Sequence, residues 1–396
     1  MSFSPPVRTL MGPGPSDVYP QVREALSRPT IGHLDPEFIR LMEEIKSLLQ
    51  TVFQTKNALT MPVSAPGSAG MEACFVNLVE PGDKVIVCQN GVFGGRMKEN
   101  VERCGATAIM VHNDWGTAVD LNHLADTLKA HQDAKIVAFV HAETSTGVRS
   151  DAQAICALAK QHGMLTIMDT VTGLAGIEVA VDAWQVDAVY SGTQKCLSCT
   201  PGLSPVSFSE AAQAVIQARK TPVQSWFLDM NLVMGYWGDG AQRSYHHTAP
   251  VNALYGLHEA LAIVVAEGLE MSWRRHQHNH LALKAGLDAL GLPLIVAEAD
   301  RLPQLNAVAV PDDVDEARLR HYLLHQFDLE IGAGLGALAG KIWRIGLMGF
   351  SSRPANVRHC LSALEAALYE QGALHGSSGA VAAADAMYAQ LASQDG

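Results

Sequence analysis

The chain has 396 residues, with 28 Lys and Arg against 40 Asp and Glu, so its formal net charge is −12. That balance argues against a nucleic-acid footprint, which needs a basic face. Apolar residues make up 48% and charged residues 17%, which excludes disorder for most of the chain, and no apolar run reaches the roughly 18 residues of a membrane span.

The opening segment has no basic stretch followed by an apolar one, so no secretory leader is expected. Pro5, Pro6, Gly12, Pro13, Gly14 and Pro15 read as an extended arm with turns, because proline fixes φ and biases its predecessor away from helix. From Pro36 to about Phe53 apolar residues recur at helical spacing, which predicts an amphipathic helix. Short apolar runs follow at 85–88, 109–111, 136–140, 165–168, 188–190 and 205–208. Helical patterns such as Asp151 to His162 lie between several of them. Continuous apolar runs separated by helices predict strands buried on both faces, hence a mostly parallel sheet. A long helix is expected from 252 to about 290. Beyond it come a strand at 306–310, a helix at 315–326, a further strand, a Gly-rich turn, a strand at 342–347 and a helix at 354–371, an α+β layout. The expected organisation is an N-terminal arm (1–20), a large α/β domain (21–269), a small α+β domain (270–372) and a tail (373–396) with a short, loosely docked helix. The seven scattered Cys fit reduced thiols in a cytoplasmic protein.

Three features carry chemistry. Ser191 to Lys195 follow directly on an apolar strand, which puts Lys195 at the C-terminal sheet edge where ligands bind in open α/β folds. The strand 165–168 also ends in a carboxylate, Asp169. An Asp there is often only a cap, but a Lys and an Asp on nearby strand ends fit one cofactor. The amine can form a Schiff base with pyridoxal phosphate, and the carboxylate can hold the pyridine nitrogen protonated. Ala65 to Gly70, ahead of a helix expected near Met71, offer unpaired N–H groups to a phosphate.

On these residues the chain resembles the fold-type I, class V aminotransferases, and within them the alanine–glyoxylate and serine–glyoxylate aminotransferases. The matching blocks are 11–16, 79–83, 143–147, 191–195, 201–204, 245–248 and 344–349. The resemblance implies that Lys195 is the Schiff-base and proton-shuttling lysine and that Asp169 pairs with the pyridinium. Phe93 would stack on one ring face, where many relatives carry Trp or Tyr, and Val171 would pack on the other. Thr144 would bond the phenolic oxygen. Gly67, Ser68, Ala69 and Gln194 would hold the phosphate, with Pro66 standing where some relatives have a hydroxyl. Tyr245 and Thr248 would reach the phosphate of a partner subunit in an obligate homodimer. Arg344 would clamp the substrate carboxylate, a task that suits a planar fork. Asn252 and His33 are either interface hydrogen bonders or polar contacts to the donor.

Other motifs are set aside. Gly332 to Ala337 fits a dinucleotide fingerprint, but no acidic residue follows about 20 positions on. It reads better as a loop near the substrate mouth. Cys196 and Cys199 form a CxxC without a second pair and read as packed thiols behind Lys195. His276, His278 and His280 read as a solvated helix rather than a metal site. His246 and His247 read as interface-shaping. The expected activity is transfer of an amino group from alanine or serine to glyoxylate, with (S)-ureidoglycine as the alternative donor. A lyase such as a cysteine desulfurase needs a nucleophilic Cys on a mobile C-terminal loop, yet the one Cys after Cys199 is Cys360, inside an expected helix. A non-catalytic binding protein is disfavoured by intact Lys195, Asp169 and Arg344.

Overall fold

A computed structural model describes residues 3–238, 243–374 and 379–394. Parts of the expected arm (1–2) and tail (375–378, 395–396) lie outside the described residues. The chain opens with β1 (Thr9–Leu10), α1 (Pro20–Leu26) and α2 (Pro36–Phe53). Asp35 caps α2 by accepting from the Glu37 N–H at 2.8 Å, and Pro36 occupies the first turn, where its missing N–H is no loss. Then come β2 (Leu59–Val63), α3 (Gly67–Leu78), β3 (Lys84–Gln89), α4 (Val92–Arg103), β4 (Thr107–His112), α5 (Leu121–Ala130) and β5 (Ile136–Val140). A small hairpin, β6 (Ala142–Glu143) and β7 (Val148–Arg149), leads to α6 (Ala152–Gln161), β8 (Leu165–Asp169), β9 (Ala188–Tyr190) and β10 (Ser204–Phe208).

The large sheet has the order β2-β10-β9-β8-β5-β3-β4. From β9 to β4 every pairing is parallel, whereas β10 runs antiparallel to both β2 and β9. The mostly parallel α/β expectation holds. β2 is absent from the sequence reading because Pro62 interrupts its apolar run. Proline is tolerated there because β2 is an edge strand. Strand order reverses at β3, which has β4 on one side and β5 on the other. A crevice opens at such a switch point beyond the strand C-termini.

Helices α7 (Glu210–Gln217), α8 (Met230–Trp237), α9 (Val251–Glu267) and α10 (Leu269–Ala289) follow. The single long helix expected over 252–290 is in fact two. Gly268, at φ +86°, breaks it, a conformation that glycine adopts without a Cβ clash. The solvated-helix reading of the histidine triplet is also corrected, because His276 and His280 are buried. His276 Nδ1 lies 2.7 Å from the Ser272 carbonyl, and its Nε2 accepts from the Gly349 N–H at 2.9 Å. His280 Nδ1 lies 2.6 Å from Asn306 Oδ1.

The rest comprises β11 (Leu305–Ala309), α11 (Glu316–Gln326), β12 (Leu329–Glu330), β13 (Gly332–Ala333), β14 (Ile342–Gly346), α12 (Pro354–Glu370) and α13 (Ala380–Gln394). β11, β14 and β13 form an antiparallel sheet. Its core around Trp343, Leu283 and Leu361 is separate from the large one and includes Met11 of the arm. β1 pairs in parallel with β12, which ties the arm to this unit. The tail differs from expectation. α13 spans 15 residues and buries Ala380, Ala384 and Leu391, and Tyr388 donates to Asn279 Oδ1 of α10 at 2.6 Å.

Candidate active site

Four parallel strands deliver their C-terminal ends to one crevice. β3 leads into Phe93 on α4, β5 into Glu143 and Thr144, β8 ends in Asp169, and β9 leads into Gln194 and Lys195. Gly67, Ser68, Phe93, Thr144, Asp169, Val171, Gln194 and Lys195 all line one cavity of about 210 Å³.

The Gly-rich segment is not a loop ahead of a helix. Gly67 is the first residue of α3, four positions earlier than expected. The helix N-terminus itself therefore faces the cavity, with first-turn N–H groups that have no intrahelical acceptor. The Ala69 N–H is engaged by the Pro66 carbonyl at 2.7 Å, which leaves Gly67 and Ser68 as the donors. The buried Gln194 amide oxygen has no partner among the described residues.

Asp169 is 3% exposed. Oδ1 accepts from the Val171 N–H at 2.8 Å and Oδ2 from the Tyr190 hydroxyl at 2.7 Å. Burial pushes its carboxyl up to about 6 against these two hydrogen bonds and the charges of Lys195 and Arg96. Burial, and secondarily the charge of Arg344, brings Lys195 down to about 8. Its Nζ donates to the Pro13 carbonyl, while Ser16 Oγ donates to the Lys195 carbonyl at 2.7 Å. The N-terminal arm thus lies across the lysine.

Arg344, on β14, is 6% exposed. Its Nε donates to the Ala333 carbonyl at 2.7 Å and its Nη1 to the Thr144 carbonyl at 3.3 Å. No carboxylate pairs with it among the described residues. Burial lowers it to about 10, with Glu143 acting in the opposite sense. A buried guanidinium held only by carbonyls has donors free for an incoming carboxylate.

Besides Ala69 and Arg344, four expected residues do not line this cavity in the single chain. Tyr245 is 62% exposed and its hydroxyl lies 3.5 Å from Thr248 Oγ1. Asn252 is occupied by its own chain: it accepts from Thr30 Oγ1 at 2.6 Å and donates to the Leu26 and Arg28 carbonyls. His33 packs against Tyr245 and Tyr236, and its carbonyl accepts from the Tyr236 hydroxyl.

Three residues were not assigned a role from sequence. Arg96 sits 4.9 Å over the Phe93 ring and its Nη1 donates to Ser68 Oγ at 3.4 Å. Its i+3 spacing from Phe93 was the available signal. Tyr190 is the register partner of Asp169, which needs strand pairing to recognise. Glu143 lay within a matched block but carried no assignment. Cys196 and Cys199 are buried thiols pushed up to about 12 and about 11, as the packed-thiol reading expects. Cys360 is buried inside α12 and pushed up to about 12, unsuited to a desulfurase nucleophile.

The fold and this constellation define a pyridoxal-phosphate transferase of the aminotransferase kind. The model of the class-V aminotransferases matches residues 16–348, and the chain belongs to that family. An (S)-ureidoglycine–glyoxylate transaminase of Bacillus subtilis (strain 168) is 39% identical over 386 residues, 93% of this chain and 92% of that protein. The crystal structure of a ureidoglycine–glyoxylate aminotransferase from Bacillus subtilis superposes with a TM-score of 0.95 at 39% identity, covering 98% of this chain and 100% of that one. The crystal structure of an alanine–glyoxylate aminotransferase from Nostoc sp. gives 0.91 at 46% identity, covering 93% and 97%. The cofactor is pyridoxal 5'-phosphate. The residues present fit it: free helix-terminal N–H groups for a phosphate, a buried carboxylate for a pyridine nitrogen, and an amine at the same cavity.

Proposed function

We propose that this aminotransferase uses glyoxylate as amino acceptor and alanine or serine as donor, giving glycine and pyruvate or hydroxypyruvate. The observation that carries the reading is Arg344, a buried cation without an ion-pair partner among the described residues, beside the Lys195–Asp169 cavity. It suits a small 2-oxo or 2-amino acid whose carboxylate supplies the missing charge. Relatives named for glyoxylate transamination support the acceptor.

When bound, pyridoxal phosphate supplies an electron sink that acidifies the donor's α-proton. Gly67, Ser68 and Gln194, with Ala69 behind them, would seat its phosphate. Asp169 would hold the ring nitrogen, Phe93 and Val171 the two faces, and Thr144 the phenolic oxygen. The Lys195 amine, brought down to about 8 by burial, moves the proton at the substrate Cα, and Arg344 orients the bond to be broken. Tyr245 and Thr248, exposed on their own chain, would complete the phosphate site of a second copy in a homodimer. Asn252 and His33 would shape that same interface. The seven described Cys are all unpaired and buried, which suits a reducing cytoplasm. Residues 21–269 and 270–372 would act as large and small domains around this site.

A second reading, (S)-ureidoglycine as donor, is favoured by the 0.95 TM-score with a structure named for that reaction. The test is single-turnover spectroscopy of the holoenzyme mixed separately with alanine, serine and fresh ureidoglycine. Loss of the visible cofactor band with one donor, and its return with glyoxylate, is expected. A cofactor that responds to none of the three overturns the reading.

A further inference from the structure

Among the described residues that line the Lys195 cavity, the cations are Lys195 and Arg96. Lys195 is committed to the reacting carbon, which leaves Arg96. It lies on α4, three residues after Phe93, and its guanidinium carbon stands 4.9 Å from the centroid of the Phe93 ring, a cation–π distance. Its Nη1 reaches across to the first turn of α3 and donates to Ser68 Oγ at 3.4 Å. No carboxylate pairs with it among the described residues. Glu99, the next acidic residue along α4, is bound by Arg103 at 3.0 Å. The first turn of α4 is itself fastened: the Val92 N–H donates to Ser145 Oγ at 3.0 Å and the Phe93 N–H to Glu143 Oε2 at 3.2 Å. Gly94 lets that turn sit close on β3, since a Cβ there would lie 2.7 Å from the Cys88 carbonyl oxygen.

We propose that Arg96 is the counter-cation of the cofactor phosphate, a positioning residue that acts through Ser68 and makes the site select the phosphorylated cofactor over its unphosphorylated form. The inference rests on placing that phosphate at Gly67 and Ser68. Ser68 Oγ accepts from Arg96, so its own hydrogen is left to be donated, and the residue can offer both a hydroxyl and a backbone N–H to one anion. A phosphate monoester carries nearly two negative charges at neutral pH. Gly67, Ser68 and Gln194 answer it with dipoles alone, and Tyr245 and Thr248 of a second copy would add hydroxyls but no charge. Arg96 supplies the charge, with the sign that the α3 terminus already favours. The Phe93 ring is a platform that holds a flexible side chain in place beforehand, which lowers the ordering cost of binding. One helical pair, Phe93 and Arg96, thus addresses both the ring and the phosphate of the cofactor.

The test is fluorescence titration of the apoenzyme with two probes that lack an aldehyde, 4'-deoxypyridoxine 5'-phosphate and 4'-deoxypyridoxine, so that Lys195 forms no bond to either. The wild type should prefer the phosphorylated probe. Arg96→Gln should raise the Kd of that probe by about tenfold, the loss of one charge-assisted contact, and leave the other within about twofold. The phosphorus NMR signal of the bound phosphorylated probe should titrate at higher pH in Arg96→Gln than in the wild type, because a nearby cation favours the dianion. Equal losses on both probes, or an unmoved titration midpoint, would mean that Arg96 only props the Phe93 ring, and would overturn the proposal. If Arg96→Gln does not fold, Arg96→Lys carries the test. It keeps the charge without the fork to Ser68 and should weaken the phosphorylated probe alone, by about threefold; no loss on that probe overturns the proposal likewise. A wild type that binds both probes equally overturns the phosphate seat at Gly67 and Ser68, and the role of Arg96 with it. The choice of glyoxylate as acceptor stands or falls separately, since neither probe is an amino acid or a 2-oxo acid.

Discussion

The hydroxyl of Tyr190 donates to Oδ2 of Asp169 at 2.7 Å, and the two residues are register partners at the ends of adjacent parallel strands. The carboxylate is thereby held ionisable in a site where burial opposes its charge. Removing the hydroxyl in Tyr190→Phe takes away a stabilising donor, so the Asp169 carboxyl rises further above about 6. A rise of one unit weakens cofactor binding by about fivefold at pH 6 and little at pH 8, because the ionised form is needed to hold a protonated ring nitrogen. Fluorescence titration of the apoenzyme at both pH values checks this. An equal loss at both would mean the hydroxyl acts through packing alone.

Arg344 should separate binding from chemistry. Its replacement by Gln removes charge-assisted hydrogen bonds worth about 1.5–3 kcal/mol each, so KM for both the amino acid and glyoxylate should rise by roughly 10- to 100-fold. The visible spectrum of the bound cofactor should stay close to wild type. Arg344→Lys should recover only part, since a point charge cannot replace a planar fork. Steady-state kinetics that show a fall in kcat with unchanged KM would refute a carboxylate seat.

The lysine is confined by the arm. Gly14 has a φ of +109°, and a Cβ there would lie 2.5 Å from Lys195 Nζ. Gly14→Ala should displace the amine and slow proton transfer at the substrate Cα while phosphate binding at α3 is kept. Lys195→Ala should abolish the visible cofactor band and cost about 10²- to 10⁴-fold in turnover from the lost proton transfer. Stopped-flow rates with α-deuterated alanine distinguish the two. A Gly14→Ala enzyme with an unchanged isotope effect and rate would show that the arm does not restrain Lys195.

Much of this site was legible because its parts are local. The strand ends at Asp169 and Lys195 and the Gly-rich phosphate segment Ala65 to Gly70 are each encoded within a few residues. What was illegible depends on partners distant in sequence. Tyr190 acquires meaning only once β8 and β9 pair, and Glu143 only once α4 packs over the loop. The edge strand β2 was hidden because Pro62 breaks an apolar run, and the antiparallel β10 because periodicity carries no direction. The small-residue tail reads as a linker by composition. Yet small side chains are what allow α13 to lie close on α10, where a Cβ on Gly286 would come within 2.9 Å of the Ala380 carbonyl.

That close packing makes α13 a structural element. Gly286→Val would collide first with the Leu361 side chain of α12 and then with the Ala380 carbonyl of α13, and should destabilise the protein by about 1–3 kcal/mol, the usual cost of overpacking. Removing residues 379–396 should lower thermal stability while leaving the cofactor spectrum of the folded fraction unchanged, since the Lys195 cavity lies in the other core. Melting curves with and without pyridoxal phosphate check both. Loss of the cofactor band from folded, truncated protein would overturn the separation.

His276 sets an acid limit on the fold. It bridges the Ser272 carbonyl and the Gly349 N–H in full burial. Desolvation, and then the charge of Arg275, brings its imidazole down from 6.5 to about 3. The unfolded chain takes up a proton here below pH 6.5 and the folded chain does not, so the stability this residue contributes is present above 6.5 and is lost as pH falls towards 3. His141 and His280 are lowered to about 4 by burial and act in the same direction. Their acid-side loss runs against the carboxyls of Asp169 and Glu143, whose raised values make ionisation costly as pH rises through about 6 and about 7. A single variant isolates one contribution. His276→Gln keeps hydrogen-bonding capacity without a titratable group. It should be less stable than wild type by about 1–2 kcal/mol at pH 7.5, from an imperfect hydrogen bond. The gap should close by pH 5, because the variant lacks the buried imidazole that unfolding protonates. Urea midpoints at the two pH values measure it directly. A gap that stays constant would mean that His276 is protonated in the folded chain, and with it that the Gly349 N–H has another acceptor.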